Sequence, residues 1–366
     1  MSGNDGVLTG EQVGHFLERG FVTVRGAFDP ASARDWLDHA WVRFGYDRDD
    51  PGSWAEPRIH LGSRSHVDAR EFAPAAWRAA AELIGGEDRM ELPWLWGDSF
   101  IANLGVGRDQ PWEPPSPAVG GWHKDGDFFR HFLDSPEQAL LTFVLWTDML
   151  PKGGGTFVAA DSVPVVARFL AEHPEGVLPH EFPYADLIGQ CHDFVEMTGK
   201  VGDVVLLHPF TLHATSQNVL GVSRIITNPG LALRAPMNFG RPDAGDLSLT
   251  ERAVLRALRT DRLDFAPSVP REKVVPDRIR KQQARAAAED ARLGVAGLAL
   301  HSGKARFGRP LRGRTPIRQN RIAVTAGGAR SLGLCLDPRP GTTVTLAARP
   351  KSWPPRPRCV TRPGRP

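Results

Sequence analysis

The segment GGWHKDGDFF, residues 120–129, sets His123 and Asp125 two positions apart, with Lys124 and Asp127 beside them. On an extended backbone, residues i and i+2 point to one face, so the imidazole and the carboxylate stand side by side while Lys124 points away. Such a pair can share a metal ion; it can equally be a histidine hydrogen-bonded to its neighbour. A third donor is offered by GDVVLLHPFTLHATSQNVLGVSRIITN, which contains His208 and His213 and reads as strand, turn and strand. Eleven residues after His213, Arg224 stands in the apolar run SRIITN. A buried guanidinium is costly when unpaired, so Arg224 is expected to meet an anion, either an internal aspartate or a ligand. Asp127 shares the expected face of Asp125 and competes with it for a metal. Arg130 and His131, in FFRHF, read as surface residues at a strand end that an anionic substrate could reach. Cys191 and His192 read as structural.

These residues need a scaffold, and the sequence proposes one. LTGEQVGHFLERG places Thr9 and Gln12 in capping-box relation with Gly20 as the stop, which predicts a helix. FVTVRGAF alternates like a strand. DPASARDWLDHAWVRF predicts a second helix capped by Asp29, with Pro30 at its first position and Trp36, Leu37, Ala40, Trp41 and Phe44 inward. From about residue 90 to 235 the signals become short apolar runs bounded by Gly, Pro and Asp, the pattern of an all-β core. Helices are expected again in SLTERAVLRAL, where Ser248 and Glu251 form a second capping box, and in DRIRKQQARAAAEDARLG.

The chain has 366 residues, 41% of them hydrophobic, enough for a substantial core. It shows no apolar run of membrane-spanning length and no secretory pattern at its start, so a soluble cytoplasmic protein without a membrane partner is expected. Three scattered cysteines argue against a disulfide framework or a zinc ribbon. The net charge of +3 hides a contrast: residues 301–366 carry +14, which leaves the first 300 at −11. That last stretch holds ten prolines and no helical or strand period, and is expected to be disordered. Aromatic residues do not interleave with its arginines, which argues against a nucleic-acid partner. An out-of-frame reading of GC-rich sequence would give the same composition.

The motifs resemble the phytanoyl-CoA dioxygenase-like family of Fe(II)/2-oxoglutarate-dependent dioxygenases. WHKD is similar to that family's WHxD segment, and HPFTLHATSQN to its HPxxxHxSxxN segment. The resemblance extends over residues 8 to about 240, more loosely to about 295. It implies a mainly β fold with flanking helices, a double-stranded β-helix (jelly roll, cupin-like) core at about 90–235 in a single domain, 1–295, with 296–366 as the tail. It implies iron ligands His123, Asp125 and His213, with His208 structural and Arg224 holding the far carboxylate of the cosubstrate 2-oxoglutarate. Thr215 stands where a serine is common and keeps a hydroxyl for 2-oxoglutarate. LWTDMLPKGGGTFVAADS suggests Trp146 near the cosubstrate, and Asn103 on a neighbouring strand is a further candidate. AADSV departs from the family's usual turn after the glycines.

Two imidazoles and a carboxylate leave three positions on an octahedral metal, which suits Fe(II). The implied activity is hydroxylation of a small organic molecule with dioxygen, with ascorbate as reductant. The alternatives are a metal-bearing jelly roll with non-oxidative or isomerase chemistry, and a non-catalytic binding protein. Deleting residues 301–366 is expected to leave activity and melting temperature almost unchanged; a large loss of stability on thermal denaturation would show that the segment docks on the rest.

Overall fold

The chain opens with the helix its capping box announces. In α1 (Gly10–Arg19), Thr9 Oγ1 accepts from the Gln12 amide, Gln12 Oε1 accepts from the Thr9 amide at 2.9 Å, and Gly20 closes the helix in the left-handed region. After β1 (Phe21–Val24) comes α2 (Pro30–Phe44), capped by Asp29, with Trp36, Leu37, Ala40, Trp41 and Phe44 all buried. The computed structural model describes residues 6–294, so the expected tail, 296–366, lies outside the described residues.

Then follow β2 (Arg58–His60), β3 (His66–Asp68), α3 (Ala69–Phe72), α4 (Pro74–Ile84), β4 (Leu95–Gly97), β5 (Ile101–Asn103), β6 (Leu141–Leu145) and β7 (Thr156–Ala159). The remainder comprises α5 (Ser162–Ala171), α6 (Tyr184–Ile188), β8 (Phe194–Met197), β9 (Val204–Leu207), β10 (His213–Thr215), β11 (Arg224–Thr227), α7 (Leu249–Leu258) and α8 (Arg278–Arg292). Six strands form one sheet in the order β1-β9-β6-β11-β5-β2, three form a second in the order β10-β7-β8, and β3 pairs with β4. All of these pairings are antiparallel.

Side-chain alternation along the large sheet divides the core. Phe21, Ile101, Leu141, Phe143, Leu145, Val205, Leu207 and Ile226 form one cluster with Val158, Ala160 and Met197 from the smaller sheet's side, so apolar side chains fill the space between the sheets. The intervening residues Val22, Ala102, Val144, Val204, Leu206 and Ile225 instead join α1, α2 and α4 in an outer layer. Behind the smaller sheet, Phe157, Ala159 and Ala214 pack with α5, α6 and α7. The expectation of an all-β stretch over 90–235 is corrected by α5 and α6. SVPVVARFLA is rich in β-branched residues, yet it is helical because Val163, Val166, Ala167 and Leu170 cover the back of the smaller sheet. No helix among the described residues is long and apolar enough to cross a membrane.

The last helix is attached by charge. Glu289 is the only residue of α8 that is buried. It meets Arg43 of α2 at 3.0 Å, while Arg64 reaches Asp290 and Arg285 reaches Glu56, each at 2.5 Å. Arg43 also contacts Asp98 at 3.0 Å, and Asp98 accepts from the backbone amides of Arg64 and Ser65 at 2.6 and 2.8 Å. Burial opposes the Asp98 carboxylate, but the His39 hydrogen bond, the Arg43 charge and these amides outweigh it and bring its pKa down to about 2. Because the folded pKa lies below the ordinary 3.8, the stability Asp98 supplies is complete above that value and is lost as the pH falls towards 2. Asp98→Ala leaves the Arg43 guanidinium with one carboxylate fewer and is expected to cost about 3–5 kcal/mol at pH 7. Urea denaturation checks this, and a loss below 1 kcal/mol would exclude Asp98 as an anchor.

Candidate metal and ligand site

Two reciprocal backbone hydrogen bonds build the centre of the site. His123 donates to the His213 carbonyl at 3.0 Å and His213 donates to the His123 carbonyl at 2.8 Å, which sets the two imidazole centroids 4.4 Å apart. The WHKD segment is not the continuous strand its pattern suggests. It touches β10 through this one bridge and then turns at Gly126, whose φ is 114°. Asp125 Oδ1 nevertheless lies 3.6 Å from His123 Nε2 and 3.5 Å from His213 Nε2, and the three donors all fall within 4.8 Å of one another. Those separations are long for a hydrogen bond. They suit two neighbouring ligands of one ion, each about 2.1 Å from it and so roughly 3 Å apart.

The surrounding contacts orient each donor. His123 Nδ1 faces the Gly121 carbonyl at 2.8 Å and His213 Nδ1 faces the Thr211 carbonyl at 3.2 Å. With the proton on Nδ1, each ring turns the Nε2 lone pair to the centre. The second oxygen of Asp125 accepts from Asn228 Nδ2 at 2.7 Å. Enclosure disfavours the imidazolium of His123, but the adjacent Asp125 outweighs it and raises the pKa. Burial likewise opposes ionisation of Asp125, yet the two imidazoles hold its pKa well below the usual carboxylate range. The centre thus sets an anionic carboxylate between two imidazole nitrogens, a donor set that fits a divalent cation.

These groups open onto a cavity of about 570 Å³ that also holds Arg224, Thr215 and Thr156. Arg224 is only 2% exposed and has no acid paired with it among the described residues. Its Nε donates to the Gly154 carbonyl at 2.5 Å and its Nη1 to the Ile101 carbonyl at 3.3 Å. Gly154 is required there: its φ is 79°, and a Cβ would lie 2.6 Å from Asn103 Nδ2 and 2.7 Å from Asn218 Cβ. Burial, then repulsion from Arg58, lowers the Arg224 pKa to about 9, so the guanidinium remains charged at neutral pH. Of the two anionic partners the sequence allowed, the internal aspartate is excluded among the described residues.

Other expectations are corrected. Trp146 sits on the far side of the large sheet, stacked on Trp36 at 4.9 Å and donating to Thr227 Oγ1, because it falls on the outward parity of β6 while Phe143 faces the cavity. Asn103 is buried with its amide donating to the Gly154 and Ser216 carbonyls, so it braces the loop that receives Arg224 and does not line the cavity. His131 is not a surface residue: it is 2% exposed, with Lys124 Nζ 2.6 Å from its Nδ1. Arg130 pairs with Glu272 at 3.1 Å; neither it nor His131 lines the cavity. Asp127 does line the cavity but makes a two-pronged contact with Arg278, at 2.6 and 2.9 Å, which leaves the metal position to Asp125. His208 is structural, buried between the Phe210 amide and the Thr250 carbonyl, with its pKa down at about 3. Cys191 is buried and free, and His192 is exposed.

Asn228, Arg58, Arg278 and Gln282 went unrecognised in the sequence. Asn228 had a signal: it continues the parity of Arg224 and Ile226. His123→Ala, Asp125→Ala and His213→Ala are each expected to abolish Fe(II) binding without unfolding the core. Asn228→Ala should weaken it about 10- to 100-fold by releasing the carboxylate. Calorimetric titration of Fe(II) under anaerobic conditions, with circular dichroism as the folding control, measures both; wild-type affinity in Asp125→Ala would remove that ligand.

No protein-family model matches the sequence, and no curated protein matches it. Solved structures with some likeness include the epimerase SnoN in complex with Fe3+, alpha ketoglutarate and nogalamycin RO, at 18% identity, 73% coverage of this chain, 96% of that one and a TM-score of 0.38. EctD from S. alaskensis with 2-oxoglutarate and 5-hydroxyectoine gives 18% identity, 63% and 78% coverage and a TM-score of 0.38. AviO1 from Streptomyces viridochromogenes Tue57 gives 16% identity, 64% and 98% coverage and a TM-score of 0.39. At such identities and TM-scores, function has to be read from the site itself.

Proposed function

We propose that this protein is an Fe(II)- and 2-oxoglutarate-dependent oxygenase that oxidises a small organic molecule, most simply by hydroxylation. The observation that carries this reading is the presence, in one cavity, of the His123–Asp125–His213 donor set and a buried, charged Arg224 with no acid partner among the described residues. A metal site alone would need no such cation; a dicarboxylate cosubstrate does. Strand order supports a double-stranded β-helix core within a single domain. From β5 onward the chain alternates between the sheets except at the adjacent pair β7–β8, with β5, β6, β9 and β11 in one, and the His123 bridge, β7, β8 and β10 on the other side.

In this reading His123, Asp125 and His213 hold Fe(II), which, when bound, couples dioxygen to the oxidative decarboxylation of 2-oxoglutarate to succinate. Arg224 pairs with the far carboxylate of 2-oxoglutarate, its fork already aimed by the Gly154 and Ile101 carbonyls. Thr215, on the cavity wall, offers its hydroxyl to the same molecule. Asn228 keeps Asp125 from rotating, and Asn103 keeps the 154–216 loops closed around Arg224. Phe143, Ile101 and Ile226 supply the apolar floor that keeps the charged contacts from being screened by water. A cytoplasmic setting and ascorbate as reductant go with this activity.

Arg224→Met retains bulk but removes a charge-assisted contact worth about 1.5–3 kcal/mol. It is expected to weaken 2-oxoglutarate binding by roughly tenfold to a few hundredfold and to leave Fe(II) affinity unchanged. Anaerobic titration of the iron-loaded proteins, followed by charge-transfer absorbance, reads both quantities. Equal 2-oxoglutarate affinity in the two proteins would remove Arg224 from the site, and metal binding without 2-oxoglutarate-dependent succinate release would favour the non-oxidative alternative.

A further inference from the structure

The cavity contains two acceptors that neither the metal nor 2-oxoglutarate explains. Glu137 and Gln138, adjacent in the loop before β6, both line it. Gln138 is 4% exposed, and its Oε1 has no hydrogen-bond partner in the protein; neither does the buried Glu137 Oε2. A buried acceptor without a donor costs about 1–3 kcal/mol, so the pair is expensive unless a ligand completes it. The loop cannot swing away to relieve the cost. The Leu233 amide donates to the Pro136 carbonyl at 2.7 Å, the Ala139 amide donates to the Leu231 carbonyl at 2.6 Å, and Leu140 bridges Leu231.

Four Lys and Arg side chains line the cavity, Arg58, Lys124, Arg224 and Arg278; Arg58 makes no ion pair with Glu137, and the other three are directed elsewhere. Arg224 is held by backbone carbonyls, Arg278 is taken by Asp127, and Lys124 ends against His131. Among the described residues no Lys or Arg lies in ion-pair range of Glu137. Gly230, which follows β11 beyond Asn228, backs directly onto Gln138: a Cβ there would be 3.5 Å from its Nε2. The two acceptors therefore lie at the Asn228 end of the strand row, away from Arg224 and the carboxylate it would hold.

We infer that Glu137 and Gln138 form a subsite for a protonated amine, so that the molecule oxidised is a small amine-bearing polar compound. This rests on the oxygenase reading and deepens it. A carboxylate beside an amide carbonyl matches the several N–H donors of an ammonium group and its charge. A neutral hydroxyl compound would use the hydrogen bonds but leave the Glu137 charge uncompensated. A long apolar chain would satisfy neither group.

The test uses anaerobic full-length protein loaded with Fe(II) and 2-oxoglutarate. The probes are a panel of small primary amines, including amino alcohols, diamines and amino sugars, each matched with its N-acetylated, uncharged counterpart, and ligand-observed NMR reads their binding. Amines are expected to bind at least about tenfold more tightly than their acetylated partners. The isosteric Glu137→Gln and the apolar Gln138→Leu should each lower amine affinity by about tenfold or more while 2-oxoglutarate affinity stays within about twofold. Absence of amine preference in the wild type, or unchanged amine affinity in Glu137→Gln, overturns the subsite while leaving the oxygenase reading intact. Failure of the wild type to take up Fe(II) and 2-oxoglutarate at the loading step is the separate result that sinks the oxygenase reading.

Discussion

The pair of backbone hydrogen bonds between His123 and His213 is the constraint on which the site depends. Residues 90 positions apart in sequence exchange amide and carbonyl at 3.0 and 2.8 Å. That exchange, and no side-chain attraction, brings two imidazoles within 4.4 Å of each other, tilted by 53°. Nothing about two like bases favours such an approach; the sheet enforces it, and Asp125 makes it tolerable by placing a negative charge between them. The rest of the smaller sheet exists in register with that bridge, since β10 continues directly from His213 into its pairing with β7. A slip of one residue would turn the His213 and Thr215 side chains away from the cavity.

Arg224 shows how the large sheet contributes. Its position on β11 opposite Asn103 of β5 fixes the guanidinium beneath the Gly154 carbonyl, which both side chains share. Neutral carbonyls satisfy part of the hydrogen-bonding fork but compensate little of the charge, so the protein holds a cation in a poorly solvated place. Such an arrangement is unfavourable for folding alone and makes sense where an anion is to be bound. Glu137 Oε2 and Gln138 Oε1 likewise are buried acceptors that the protein leaves without a donor.

The outer frame is secured differently. Wherever helices α1 to α7 meet the sheets, apolar area does the work, as in the stack of Trp36 on Trp146. Helix α8 has no such face. It is fastened by carboxylate–guanidinium contacts to Arg43, Arg64, Glu56 and Asp127, and through Arg278 and Gln282 it reaches the cavity rim. Ion pairs of this kind are weaker and more salt-dependent at the surface than apolar packing, with the buried Arg43–Glu289 contact the exception. The rim is therefore the part of the site whose integrity depends most on charge.

The sequence by itself determined whatever depends on neighbours along the chain. The capping boxes at Thr9 and Ser248, the Asp29–Pro30 start of α2 and the apolar run around Arg224 were legible because caps and short runs act over a few residues. The candidate ligands His123, Asp125 and His213 could also be named from their motifs. What only the tertiary structure decided is what requires distant partners. Trp146 was placed near the cosubstrate by the family resemblance of its segment, and sheet parity sent it to the opposite layer. Asn103 was close to the right place but is consumed by two backbone carbonyls supplied by loops 51 and 113 residues away. His131 read as exposed until Lys124 and Phe182 were found packed on it. SVPVVARFLA lies inside the stretch 90–235 expected to be all-β, yet the hydrophobic surface that makes it a helix comes from β7, β10 and α7, which no local pattern announces. Burial and charge balance are sums over the whole fold, so the roles of Asn228, Arg58, Glu137 and Gln138 could emerge only once the strands that face one another were known.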